Sequence, residues 1–312
     1  MLSGTAGAAA YFFPVVVAGV GQTGQTVIVP PSRSPGVAAT PIPSSAPGSP
    51  FTVLLLGSDD DGKNKSPLTQ SMILVRVEPA TKHVTMLSIP RDLWVPVSSC
   101  NCNAKIDAAY AYGGAAAAIA TVERNFHVHI DEYAWVGLKG LIKLIDRLGG
   151  VDLLVTNPVL DDQYPDDINS GFLYGYKRVA VLPGPQHLDG SRALQYVRSR
   201  HNDINGDFGR SARQQQVLLA IKAKASTLNA ADLPDIVDTL KGNFTTSMGL
   251  DRVRSLLSVA TAFDIANVKQ VVLYACPSGC YTSYDHGAAY GGASVVIPHW
   301  SMILAVTREN FP

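Results

Sequence analysis

Phe51-Thr52-Val53-Leu54-Leu55-Leu56-Gly57-Ser58-Asp59 opens the ordered part of the chain with a short apolar run closed by a glycine. The run is too short for a stable helix, and its end in Gly57 marks it as a strand. Ser71 to Val77 is rich in β-formers, and His83 to Ile89 alternates after the turn Glu78-Pro79-Ala80-Thr81, which makes two more strands. Helical signals follow. Ala108 to Phe126 is alanine-rich but interrupted at Gly113 and Gly114, and Leu138 to Leu148 ends at the stop Gly149-Gly150. Val151 to Val155 reads as a fourth strand.

A long polar loop carrying Asp161, Asp162, Asp166 and Asp167 and a turn at Pro183-Gly184-Pro185 are expected before a short helix from Gly190 to Val197. Gln214 to Ser226, Leu233 to Leu240 and Leu250 to Ala262 read as helices. Val268 to Leu273 and Ser294 to Ile297 read as late strands, and Trp300 to Arg308 as a closing helix. Strands intermixed with helices predict an α/β fold, a single three-layer-like domain over residues 51–312 with a central mixed sheet flanked by helices. No internal repeat interrupts it.

Working outward, residues 30–50 repeat Pro and Ser, which favours an extended, solvated linker. Ala6 to Val20 is almost wholly apolar, shorter than the roughly 20 residues a bilayer span needs, and broken by Pro14, Gly19 and Gly21. With no Lys or Arg before it, the stretch 1–29 reads either as a membrane anchor or export signal whose cytoplasmic start is missing or as a plain disordered apolar tail. An apolar segment followed by a spacer predicts a tethered domain outside the cytoplasm.

The chain has 46% hydrophobic residues and 25 acidic against 25 basic side chains, so it can bury a large core and has no global field. Zero net charge and the lack of a basic recognition helix argue against nucleic acid. The four cysteines form two close pairs, Cys100 with Cys102 and Cys276 with Cys280. Local or crossed disulfides, a four-cysteine zinc site and free buried thiols are all open from spacing.

Three segments carry candidate chemistry. Arg198, Arg200, Arg210 and Arg213 crowd around a turn-rich loop, Arg210 and Gln214 lying four apart on one helical face. If that helix starts near Gly209, its positive end adds backbone N–H groups, and the fork of each guanidinium matches phosphate oxygens, so the cluster suits a diphosphate. A solvated basic face partnered by Asp203 and Asp207 is the plain alternative. Ser88-Ile89-Pro90-Arg91-Asp92 lies beyond a strand end, where ligands of α/β sheets bind, and Pro90 stops the strand so that Arg91 is exposed or held in a structural ion pair. Gly57-Ser58-Asp59-Asp60-Asp61-Gly62 offers hard carboxylate oxygens for magnesium, or an acidic surface turn. Together they describe a magnesium-and-arginine clamp for a pyrophosphate, with a carboxylate available as base. The histidines, including His187 and His201, show no triad or zinc-protease spacing and read as loop residues.

Leu54-Leu55-Leu56-Gly57-Ser58-Asp59, Ile89-Pro90-Arg91-Asp92, Lys105-Ile106-Asp107-Ala108-Ala109-Tyr110, Ala193-Leu194-Gln195-Tyr196-Val197-Arg198-Ser199-Arg200 and Gly209-Arg210-Ser211-Ala212-Arg213-Gln214-Gln215, in this order, resemble the LytR-CpsA-Psr family. The ending Val296-Ile297-Pro298-His299-Trp300 is similar too. The resemblance implies a domain facing the cell wall behind one transmembrane helix. It implies binding of polyprenyl phosphate or pyrophosphate lipids in an apolar tunnel, and attachment of teichoic acid, capsule or arabinogalactan to peptidoglycan with Mg2+. By motif, Asp59 is a metal ligand or base, Asp59, Arg91 and Arg198 are catalytic, and Arg91, Arg198, Arg200, Arg210 and Gln214 hold the pyrophosphate.

One departure stands out. Where the family usually has Arg-x-Asp-Thr, this chain has Leu68-Thr69-Gln70-Ser71, so Gln70 replaces an acidic second metal contact. A neutral amide oxygen attracts a cation less; Asp60 or Asp61 could compensate. A lipid-binding protein with weakened catalysis and a pyrophosphatase using water as acceptor are the alternative functions.

Overall fold

The computed structural model describes residues 49–59, 67–168, 175–201, 203, 206–225, 233–248, 267–275 and 280–312. The apolar stretch 1–29, nearly all of the linker, Asp60 to Gly62, Cys276 and the expected helix at Leu250 to Ala262 lie outside these residues.

The strands are β1 (Phe51–Ser58), β2 (Thr69–Glu78), β3 (His83–Ser88), β4 (Trp94–Val97), β5 (Cys102–Lys105), β6 (Glu132–Gly137), β7 (Val151–Val155), β8 (Val159–Pro165), β9 (Tyr176–Val181), β10 (Gly184–Leu188), β11 (Phe244–Thr246), β12 (Val268–Val272), β13 (Thr282–His286) and β14 (Ser294–Pro298). The helices are α1 (Ala108–Phe126), α2 (Leu138–Arg147), α3 (Gly190–Arg198), α4 (Gly206–Ala225), α5 (Leu233–Leu240) and α6 (Trp300–Asn310).

A six-stranded sheet in the order β11-β6-β1-β2-β3-β12 forms the middle layer. It is mixed: β1 pairs antiparallel with β2 and parallel with β6, while β3 pairs antiparallel with β2 and parallel with β12. Strict alternation sends Leu54, Leu56, Met72, Leu74 and Leu87 to one face, against Ala118 and Val122 of α1 and Ile303 of α6. Val53, Ile73, Val75 and Met86 face the other way, toward Leu218 and Leu219 of α4. Because helices cover both faces, β1 reads in sequence as an unbroken apolar run rather than as alternation.

A second core lies beside the sheet, where α2, α3, α4 and α5 pack with the paired strands β7–β10 and β8–β9. Two glycines set this packing. A side chain at Gly190 would place its Cβ 2.2 Å from the Ile142 carbonyl oxygen, and one at Gly140 would come within 2.6 Å of the Asn243 oxygen. Both positions therefore demand a residue without a Cβ.

Several expectations change. Val151 to Val155 is a strand but pairs with β10, outside the central sheet. The stretch read as a polar loop contains β8, in which Val159 and Asp161 and, past a register shift, Tyr164 turn inward. The interior strand β6, second from the sheet's edge, is an addition to the expected strands: it abuts α2 with no turn residue except Gly137. Gly113 and Gly114 do break the helical geometry of α1. His187 lies on β10, not in a loop, and its Nδ1 is 2.6 Å from Asp152. Cys100 and Cys102 form a disulfide, so their pairing is local and a four-cysteine zinc site is excluded. Cys280 is disulfide-bonded as well. No helix among the described residues is long and apolar enough to cross a membrane.

Candidate functional site: an arginine-headed apolar cavity

Between the sheet and helices α2 to α5 runs a cavity walled by Leu55, Ile73, Leu141, Leu194, Val217 and Ile221. Its polar lining is Gln70, Ser71, Arg198, Arg210 and Gln214. Arg210 and Ile221 both line it from α4, eleven residues apart, which at 1.5 Å per residue is about 16 Å. The space therefore has a cationic head and a long apolar body.

Topology brings the head together. β1 and β3 run the same way and end at one edge of the sheet, and the antiparallel β2 between them begins there. Asp59 follows β1, Gln70 opens β2 and Arg91 follows β3, so three sequence-distant side chains meet. Gln70 Nε2 donates to Asp59 Oδ2 at 2.7 Å, and Arg91 Nη1 donates to Gln70 Oε1 at 2.5 Å. Arg198, from the last turn of α3, places Nη2 3.7 Å from Asp59 Oδ1. Arg210 and Gln214 arrive from the neighbouring helix, and Gln214 Nε2 donates to the Val197 carbonyl at 3.4 Å.

Arg198 is held in a two-pronged bond to Asp167, with Nη1 and Nη2 at 2.7 and 2.8 Å from its two oxygens. A carboxylate thus occupies the fork that a phosphate would fill. Burial works against the charge of Arg198, but the bond to Asp167 and the nearby Asp59 outweigh it and raise the pKa. Asp59 is pushed above the ordinary carboxylate value by burial, against the pull of Arg198 and Arg91. Tyr164 lies under Arg198, its ring centre 5.8 Å from Cζ, and burial pushes its phenol up to about 12.

The expected helix start near Gly209 moves. α4 begins at Gly206, and the buried Asp203 carboxylate packs against Gly209, where an added Cβ would lie 2.4 Å from Oδ2. The positive end of α4 is therefore answered by the protein itself. Arg200 is exposed and does not line the cavity, because Ser199 turns extended at the end of α3 and is itself buried. Arg213 is structural: Nε donates to the Tyr196 carbonyl at 2.7 Å, and its two terminal nitrogens donate to Asp203 and the Ser199 carbonyl. Asp161, buried in β8, accepts from the Arg200 backbone N–H and lies 3.0 Å from His201 Nδ1. Asp203 thus partners the arginine cluster as the plain alternative had it, but buried rather than solvated; the roles of Asp161 and Asp167 were not apparent from sequence. The partners in these contacts lie ten to forty residues apart.

The donor set tests the magnesium expectation. Arg91 can only donate and ionised Asp59 can only accept, so the Gln70 amide is fixed with its oxygen toward Arg91 and its N–H toward Asp59. Asp59 Oδ1 is buried with no hydrogen-bond partner, Arg198 at 3.7 Å being ion-pair contact only. No group of three or more His, Cys, Asp or Glu able to hold a metal occurs among the described residues. Asp59 and Gln70 do not fit a cation between them.

The model of the LytR_cpsA_psr family matches residues 33–293. The chain belongs to this family. A polyisoprenyl-teichoic acid–peptidoglycan teichoic acid transferase TagU of Enterococcus faecalis is 32% identical over 225 residues, covering 71% of this chain and 69% of that protein. TagV of Bacillus subtilis, carrying the same description, is 32% identical over 241 residues, 74% of this chain and 60% of its own length. The crystal structure of B. subtilis TagV matches with a TM-score of 0.67 at 26% identity, over 85% of this chain and 98% of that one. A structure of TagT bound to LI-WTA matches with 0.64 at 26% identity, over 86% and 92%.

Segments that resemble the LytR_cpsA_psr family also support the head of the cavity. Lys105 to Tyr110 buttresses Arg91: the Asp107 N–H donates to the Arg91 carbonyl at 3.1 Å, and Lys105 Nζ meets Asp92 at 2.6 Å. Gln215 ties α4 to the sheet by donating to Ser88 Oγ and the Val271 carbonyl. The Val296 N–H donates to the Asp92 carbonyl at 2.9 Å and closes the same loop from the C-terminal side.

Proposed function

We propose that this chain transfers a phosphate-linked glycopolymer from a polyprenyl pyrophosphate carrier to peptidoglycan, on the outer side of the cytoplasmic membrane to which its N-terminal segment tethers it. The observation that carries the reading is the cavity: an apolar body for a prenyl chain, with Arg198 and Arg210 lining its head for the diphosphate and Arg91 joined to that head through Gln70. The acceptor hydroxyl attacks the sugar-side phosphorus and forms a new P–O bond. The bridge between the phosphates breaks, polyprenyl monophosphate leaves, and the hydroxyl proton passes to Asp59. The arginines stabilise charge on the phosphoryl and leaving oxygens, and the raised pKa of Asp59 suits a proton acceptor. Substrate must displace Asp167 from Arg198.

The test is to incubate the purified chain with a polyprenyl pyrophosphate glycan and a peptidoglycan fragment and follow product by mass spectrometry. Glycan joined to peptidoglycan through phosphate is expected, reduced about 100-fold or more by Arg198→Ala. One observation favours a second reading, a lipid-binding protein with weakened catalysis: Gln70 offers Asp59 a donor rather than an anionic neighbour. Lipid retention without transfer would support that reading. Release of polyprenyl monophosphate without acceptor would indicate a pyrophosphatase.

A further inference from the structure

The contacts of Gln70 do more than leave a cation unfavoured. Its amide joins Asp59 to Arg91 with hydrogen bonds of 2.7 and 2.5 Å, so one side chain spans the gap between the acidic and the basic group of the head. The direction of both bonds is set by chemistry, since a flipped amide would put two acceptors together at Asp59 and two donors together at Arg91. Among the described residues, Asp167 has both oxygens on Arg198, and Asp92 Oδ2 lies 3.4 Å from Arg91 Nε. A divalent cation approaching Asp59 therefore meets an N–H on one side and a guanidinium on the other.

We propose that the hydrogen-bonded run Arg91–Gln70–Asp59 stands in place of a divalent-cation site, so that this chain meets the charge of a diphosphate headgroup with Arg91, Arg198 and Arg210 and has no tight cation site among the described residues. The isosteric change Gln70→Glu isolates the point. It would set two carboxylate oxygens 2.7 Å apart, and two such charges cannot both persist without a proton or a cation between them. One atom thus separates a hydrogen-bonded bridge from a metal-binding pair. The inference rests on reading the arginine cluster as a diphosphate clamp, but its test uses metal ion and inorganic pyrophosphate without lipid or acceptor. Its failure and the failure of the transferase reading are therefore separable.

The experiment is thermal unfolding and calorimetric titration of the full chain with MnCl2 and MgCl2, for the natural protein, Gln70→Glu and Gln70→Asp, with inorganic pyrophosphate binding measured in EDTA. The natural protein should shift by less than about 1 °C. Either carboxylate variant should gain about 5 °C or more at a cation concentration near 100 times its Kd, and adding Asp59→Asn to it should abolish the gain. The natural protein should bind inorganic pyrophosphate in EDTA, with the arginine forks alone meeting its charge. Micromolar Mn2+ binding by the natural protein, loss of its pyrophosphate binding in EDTA, or folded variants at position 70 that gain no cation response would each overturn the inference.

Discussion

Asp107 is a buried carboxyl at the start of α1 whose backbone is fully committed to Arg91 and Thr69. Burial pushes its pKa from 3.8 up to about 6, helped by the charge of Asp92 and opposed by Arg91 and Lys105. A carboxyl raised in this way keeps its proton in the folded protein between about pH 4 and 6 while the unfolded chain has lost it. The folded state binds more protons there, so stability falls as pH rises through that window and stays lower above it. At 1.36 kcal/mol per pH unit the gap is worth about 3 kcal/mol. Asn mimics the protonated acid in size and keeps an acceptor for the Ala108 N–H. Asp107→Asn should therefore match the natural protein near pH 4 and exceed it by about 2 to 3 kcal/mol at pH 7.5. Urea unfolding of both proteins from pH 4 to 8 measures the difference directly, and other titrating groups cancel in it. A difference that does not vary with pH, or a variant less stable at pH 7.5, would refute the account of Asp107 as a carboxyl held against its charge.

Arg213→Met should cost about 3 to 5 kcal/mol, because it leaves the Asp203 carboxylate buried without its cation; urea midpoints should show partial recovery in the double variant with Asp203→Asn. Val217→Trp fills the apolar body of the cavity well away from Arg198 and Arg210. It should weaken polyprenyl phosphate binding about tenfold or more through overpacking while leaving inorganic pyrophosphate binding unchanged, as read by calorimetry with the two ligands in parallel.

What a short window of sequence determines here is local. The apolar run at Phe51, the alternation at His83 and the helical spacing at Leu138, Gly190 and Trp300 settle each element through neighbours two to four residues away, and together they settle the α/β class. The residues of the site were legible as a list, since Asp59, Arg91, Arg198, Arg210 and Gln214 belong to recognisable segments and do meet at one cavity or its head. Longer-range pairing decided the rest. β6 enters the sheet beside β1 across about eighty residues, and β8 and β9 become strands only because they pair with each other. Arg210 and Arg213 lie less than one helical turn apart on α4, yet one lines the cavity while the other neutralises Asp203. Nothing in their spacing separates a ligand-binding arginine from a structural one. The same holds at Gln70, whose amide faces Asp59 with its N–H because Arg91, brought in from the next strand, claims the oxygen. Composition and periodicity specify which groups are available; which partner each group takes is a property of the packed chain.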